Sequence, residues 1–267
     1  MIIKTLASGA SGMRAHQLKL DTIGNNIANI NTTGFKKSRV NFADMVRQAL
    51  GDEGIPTASD PRPEGGSGVR TVSIARIFDQ GDLLQTGRDL DLAIEGQGFF
   101  KVIPVTGEDD KEYYTRDGSF YITTVDDEPV LVNASGYKLD WDGELNPEEY
   151  QSYKVDEKGN VYGIKKDGSI DTDPVGTIQL YTFPAPANLL SKGNNLYMPT
   201  AASGEATSGT PGEEGIGYIR SGYLERSNVD LAVEMIGMIE AQRAYAANSR
   251  TIQTADEMWD RANNLRK

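Results

Sequence analysis

The chain has 267 residues, a net charge of −12, one histidine and no cysteine, which is length enough for one large domain or two modest ones with a real core. That charge argues against nucleic acid and anionic membrane surfaces as partners, since both call for a basic footprint. The missing cysteines exclude disulfides and thiolate metal sites.

From the N-terminus, Met1 to Ala10 carries one Lys, and Gly9, Gly12, Arg14 and His16 interrupt any apolar core of a leader, so this is not a secretory signal peptide. Export without a cleaved leader is the expectation. No run of about 18 apolar residues occurs, so neither a transmembrane helix nor membrane insertion is expected. Ile2, Leu6, Gly9, Met13, His16, Leu20, Ile23, Ile27 and Ile30 step by four and three. This is the a/d spacing that turns one stripe of a helix toward a partner. Its candidate assembly residues are Leu6, Met13, Leu20, Ile23, Ile27 and Ile30. The lone His16 lies on the seam and reads as a packing residue.

The helical period stops at Asn31-Thr32-Thr33-Gly34, a turn-like cluster. Residues 35–50 are mixed, with a partly helical stretch expected around Phe42, Met45 and Val46. Residues 51–68 hold three prolines and five glycines among several acids, the composition of an extended or mobile loop. From Val69 the period changes to two, and Leu90 to Glu95 alternates like a half-buried strand. Further strands are expected at 99–103, 113–116, 119–124, 130–133, 137–141, 161–164 and 177–183. Asp117-Gly118, Asp142-Gly143 and Asp167-Gly168 read as the turns between them. Short strands so spaced make an antiparallel domain. Residues 201–217 read as a surface loop.

The C-terminal segment repeats the first. Leu231, Met235, Met238, Gln242, Tyr245, Ser249, Ile252, Asp256 and Trp259 take the same steps, and no proline occurs from Val229 to Lys267. Ser227-Asn228 is the expected N-cap. Leu231, Met235, Met238, Tyr245, Ile252 and Trp259 are the second set of candidate assembly residues. Long isolated helices are marginal in water, so the two terminal helices are expected to pair as a coiled coil or to pack on neighbouring subunits. The predicted fold is α+β: long N- and C-terminal helices pairing as a coiled coil, around a central antiparallel β-rich domain. Its expected divisions are a terminal-helix assembly domain (1–34 with 227–267), a connecting segment (35–70) and a β-rich domain (71–226).

Chemistry is hard to find. With one histidine and no cysteine, His- or Cys-based triads and ordinary zinc sites lack their residues. Gly96-Gln97-Gly98 lacks the third glycine and the Lys-Ser/Thr of a phosphate loop, so a tight turn is the simpler account. Asp140, Asp142 and Gly143, like Asp167, Asp171 and Asp173, lack the acid spacing and terminal Glu of a calcium loop. No catalytic residue, metal site or cofactor is assigned.

Residues 25–36, Asn-Asn-Ile-Ala-Asn-Ile-Asn-Thr-Thr-Gly-Phe-Lys, resemble the N-terminal signature of bacterial flagellar rod and hook proteins; its distinctive members are Asn25, Asn26, Asn29, Asn31, Gly34 and Phe35. The resemblance continues through residues 8–13, 96–100, 114–120, 193–197, 222–230 and 238–245 in order. It is greatest to the distal-rod members, whose tail Gln242 to Tyr245, Asn248-Ser249 and Thr254 to Met258 resemble. The resemblance implies a non-enzymatic axial subunit of the basal body, in the cell envelope. Such a subunit leaves through the flagellar export apparatus and polymerises helically into a hollow shaft carrying motor torque to the hook. Terminal helices form the inner tube and the β domain faces outward. The implied partners are further copies of itself, proximal rod and hook proteins, and the bushing rings of the envelope. Residues 51–68 occupy the place of a rod-specific insertion linked to straightness. The alternatives are a hook protein, a non-polymerising acidic binding module and, more remotely, an acid-pair hydrolase.

Overall fold

Two long apolar-striped segments without proline bracket a middle rich in glycine and β-branched residues, and the chain folds accordingly. The structure, a computed structural model, describes residues 2–44, 68–105, 111–125, 127–213 and 215–264. It divides into two units. One comprises Met1–Ala28, Ser38–Ala75 and Asp230–Lys267; the other comprises Asn29–Lys37 and Arg76–Val229.

The first unit is the helical one. Helix α1 (Ile2–Ala28) and helix α2 (Leu231–Asn264) lie side by side and antiparallel, with Gly9 against Ile252, Gly12 against Asn248 and Gly237 against Ile23. At about 1.5 Å per residue they are roughly 40 and 50 Å long. Strands β1 (Ser38–Asp44) and β2 (Val69–Arg76) form a two-stranded sheet beside α1. The helix expected around Phe42 is therefore a strand, because Val40 and Phe42 alternate with polar Arg39 and Asn41. Met45, Val46 and the expected loop at 51–67 lie outside the described residues.

The cap of α2 also differs from expectation. Asp230, not Ser227-Asn228, accepts the orphan N–H groups of Ala232 (2.8 Å) and Val233 (3.2 Å). An aspartate there also sets a negative charge against the positive helix end. Asn228 is engaged elsewhere, as described below.

The second unit is antiparallel β. Its main sheet runs, in spatial order, Leu190–Gly193, Leu196–Met198, Tyr113–Thr115, Phe100–Pro104, Tyr137–Leu139, Glu128–Asn133 and Phe120–Val125. A smaller sheet runs Asp142–Gly143, Gly176–Thr177, Asn160–Lys165 and Tyr150–Val155. Asp142-Gly143 is thus paired backbone and not a turn; the Trp141 ring lies on Gly143 and Gly176, where any Cβ would collide with it. Three two-stranded pairs complete the unit: Leu92–Glu95 with Tyr218–Ser221, Leu83–Gln85 with Tyr223–Glu225, and Leu180–Thr182 with Thr207–Gly209. The last pair places a strand inside the expected loop 201–217.

Side-chain alternation splits the Phe99-Phe100 doublet between two cores. Phe100 enters the larger one with Leu92, Ile94, Phe120, Leu131 and Ile178. Phe99 enters an aromatic one with Tyr114, Phe183 and Tyr197, whose rings meet edge to face. The Leu92–Glu95 strand is not half-buried, as alternation predicted, since Leu92, Ala93 and Ile94 are all buried. Small Ala93 lets the second face close too. Gly118 is obligatory for another reason: a Cβ there would lie 1.6 Å from the Leu92 carbonyl oxygen, and the Leu92 N–H donates to the Gly118 carbonyl.

Candidate assembly surface and closure of the β unit

In the helical unit the buried stripe is made of small residues. On α1 it comprises Gly9, Gly12, Ala15, Thr22, Ile23 and Asn26; on α2, Ala241 and Ala255 are buried, with Gly237, Ala244 and Asn248 partly so. Small residues let the backbones approach closely. A Cβ on Gly9 would sit 2.9 Å from Ile252 Cγ1, and one on Gly12 would sit 2.7 Å from Asn248 Nδ2.

The heptad seam read from the sequence therefore coincides only in part with the face that the helices share, which includes its Gly9, Ile23 and Ile252. Of its α1 members Gly9 and Ile23 are buried, while Leu6, Met13, Leu20 and Ile27 are partly buried; Ile30, expected on the same helix, lies past its end in the second unit. Of its α2 members Met238 and Ile252 are partly buried, but Leu231, Met235, Tyr245 and Trp259 are exposed. They have company: Val233, Ile236, Ile239 and Met258 are exposed as well. Met235 and Ile239, one turn apart, show 52% and 50% of their surface. Over its first three turns α2 carries only two acids, Glu234 and Glu240, among apolar residues, a composition suited to burial over most of its surface. The missed signals were the small residues Gly237, Ala241, Ala244, Asn248 and Ala255, spaced by four, three, four and seven, and the apolar residues lying off the seam.

His16 is partly buried, its ring 6.4 Å from Phe42, and its Nδ1 has no hydrogen-bond partner. Burial, helped by Lys19, pushes its pKa down, so it behaves as a neutral packing residue.

The signature residues do structural work in both units. Asn26 clamps the backbone of Ser38, its Oδ1 accepting from the N–H and its Nδ2 donating to the carbonyl, both at 2.9 Å. Asn25 and Asn31 are exposed. In the β unit the Asn29 carbonyl accepts from the Thr32 N–H in the turn. Gly34 has φ of +67° and lies so close to Arg116 and Asp117 that a Cβ would clash with their backbone. Phe35 is buried, with the Arg76 guanidinium 5.9 Å from its ring.

Around them the two ends of the β unit are joined. Gly34 N–H donates to the Glu225 carbonyl (2.8 Å), and Lys37 N–H donates to Asn228 Oδ1 (2.8 Å). Asn228 Nδ2 in turn donates to the carbonyls of Ile77 and Asp79. At the centre Lys36 and Glu225, each 0% exposed in its side chain, form an ion pair at 2.6 Å. Lys36 Nζ also donates to the Asp79 carbonyl (2.7 Å), and Glu225 Oε1 accepts the Gly81 N–H (2.9 Å). Arg116 approaches the other carboxylate oxygen at 3.4 Å. Burial pushes the Lys36 pKa down, with Glu225 opposing the shift. Burial likewise raises that of Asp117, against hydrogen bonds from Ser119 and Thr33. The sequence placed Lys36, Arg116, Glu225 and Asn228 within family motifs without giving them this role.

This arrangement holds a shape and presents surfaces; nothing in it is organised to transform a substrate. Among the described residues no group of three or more His, Asp or Glu is placed to hold a metal ion, and no helix is long and apolar enough to cross a membrane. Family models match three regions: "Flagella basal body rod protein" at residues 6–36, "Flagellar hook protein FlgE/F/G D1 domain" at 93–163, and "Flagellar basal body rod FlgEFG protein C-terminal" at 220–265. The chain is similar along its whole length to the flagellar basal-body rod protein FlgG of Borreliella burgdorferi, at 44% identity with 100% of both chains covered. Similar relatives of the same name occur in Bacillus subtilis, at 40% identity over 100% of both chains, and in Caulobacter vibrioides, at 39% over 99% of this chain and 100% of that one. With identity of this order sustained from end to end, the chain belongs to the flagellar basal-body rod proteins, a structural family and not a family of enzymes.

Proposed function

We propose that this rod subunit polymerises helically into the hollow distal rod and transmits motor torque to the hook, with its helical unit as the assembly element. The carrying observation is the exposed apolar surface of α2. Leaving the exposed half of Leu231, Val233, Met235, Ile236 and Ile239 in water forgoes about 0.8–1.5 kcal/mol for each side chain that a neighbour could finish burying. In the polymer the terminal helices form a coiled-coil inner tube and the acidic β unit faces outward. Adjoining rod and hook proteins meet its ends, and the envelope's bushing rings surround it. Export through the flagellar apparatus delivers the subunit to the periplasmic part of the basal body.

The distribution of charge supports this reading. The β unit carries 27 acidic against 15 basic residues, the whole net charge of −12, whereas the helical unit holds 12 of each. Neutral helical units can gather without self-repulsion, while the acidic units keep assembled copies soluble. A surface that repeats head to tail grows without closing. Electron microscopy of concentrated full-length protein tests the proposal. Straight tubes are expected; curved tubes favour a hook-type shaft, and a lasting monomer favours the acidic binding module.

A further inference from the structure

Beside the ionic centre of the β unit lies a cavity of about 380 Å³, whose wall includes Arg76, Phe78, Gln97, Phe99, Arg116 and Phe183. We infer that it is a binding pocket for a carboxylate attached to an aromatic or other apolar group. The charges around it are out of balance. The wall holds two arginines, Arg76 and Arg116, against one acid, Asp79, which is exposed. Next to the wall, buried Lys36 shares with Arg116 the one carboxylate of Glu225, and it donates to the backbone carbonyl of Asp79. Three cations thus meet two carboxylates, one of them in water, within a unit that elsewhere is strongly acidic. Buried charges are ordinarily paired, because an unpaired one is costly to desolvate.

Arg116 has capacity to spare. Its side chain is 3% exposed, Nη2 donates to the Gly96 carbonyl (2.8 Å) and Nη1 reaches Glu225 only at 3.4 Å. Its Nε has no hydrogen-bond partner at all. A guanidinium offers five N–H donors in a planar fork that matches a carboxylate. The Arg76 guanidinium, 5.4 Å from the Tyr197 ring centroid and donating to the Tyr197 hydroxyl (3.2 Å), supplies a second fork.

The rest of the wall sets the remainder of the ligand. The Phe78 and Phe183 rings both stand edge-on to Phe99, at 5.3 and 5.7 Å between centroids, and Arg116 lies 5.4 Å from the Phe99 centroid. A ring can complete that edge-to-face set while its carboxylate meets the arginines. The volume suits a small acid or the last residue of a peptide.

Equilibrium dialysis of the full-length protein against hydrocinnamate tests this, with the neutral hydrocinnamamide as control. Saturable uptake of one acid per chain is expected, with little uptake of the amide. The variant Arg76→Gln should weaken uptake at least about tenfold, the scale of one charge-assisted hydrogen bond, and should keep its thermal transition. Dialysis against the tripeptide Gly-Gly-Phe identifies the source: tighter uptake than of the free acid assigns the pocket to a chain terminus, equal uptake to a small acid. Uptake of amide and acid alike, uptake indifferent to Arg76→Gln, or no saturable uptake overturns the inference.

Discussion

Glu225→Ala is expected to unfold the β unit under conditions where the parent chain is stable. The substitution leaves Lys36 and Arg116 buried with no carboxylate between them, and it removes the acceptor of the Gly81 N–H. Stranding one partner of a buried pair costs about 3–5 kcal/mol. For a body of this size that lowers the melting transition by about 10 °C or more. Lys36→Met should cost less, because Glu225 keeps Arg116 and the Gly81 N–H. The double variant Lys36→Met/Glu225→Gln should recover part of the loss, since it removes the Lys36 charge along with its partner and keeps an acceptor for the Gly81 N–H, leaving Arg116 alone without a carboxylate. Thermal melts followed by circular dichroism give the order. A Glu225→Ala transition equal to that of the parent would mean the ion pair is not what closes the unit.

The second large effect is on assembly and not on folding. Met235→Glu/Ile239→Lys hydrates the centre of the exposed α2 face while adding a favourable Glu–Lys pair one turn apart and leaving the net charge unchanged. Both side chains are half exposed in the isolated chain, so the melting transition should stay in place. If neighbours bury the exposed half of each, the polymer loses about 1.5–3 kcal/mol per subunit. The concentration needed for assembly should then rise at least about tenfold. Sedimentation across a concentration series reads this directly. A helix that packs only on its own chain predicts no change.

The elements legible in the sequence were those whose period is set by simple burial. Both terminal helices and the strands around Phe100, Phe120 and Val161 came from spacing alone, because each has one apolar face or a run that a single core absorbs. The shared face of the helices did so only in part, at Gly9, Ile23 and Ile252. Periodicity counts large apolar residues, whereas α1 and α2 meet through Gly9, Gly12, Ala241 and Ala255, where the absence of side chain does the work. β1 was missed because its pattern is short and follows a turn. The closure of the β unit was invisible for another reason: Lys36 and Glu225 are 189 residues apart, and no local pattern announces a long-range ion pair. The signature around Gly34 nevertheless carried the family, because the backbone there tolerates almost nothing else.

The central proposal is that assembly belongs to the two terminal helices and that the β unit folds without them. Its most direct test is sedimentation velocity, paired with a thermal melt, on a chain trimmed to residues 29–229. The trimmed chain keeps Gly34, Lys36, Glu225 and Asn228, the residues that join the two ends of the β unit. It should melt cooperatively and sediment as a monomer at concentrations where the full-length chain forms polymers. Trimmed protein that polymerises like the full chain would contradict the claim.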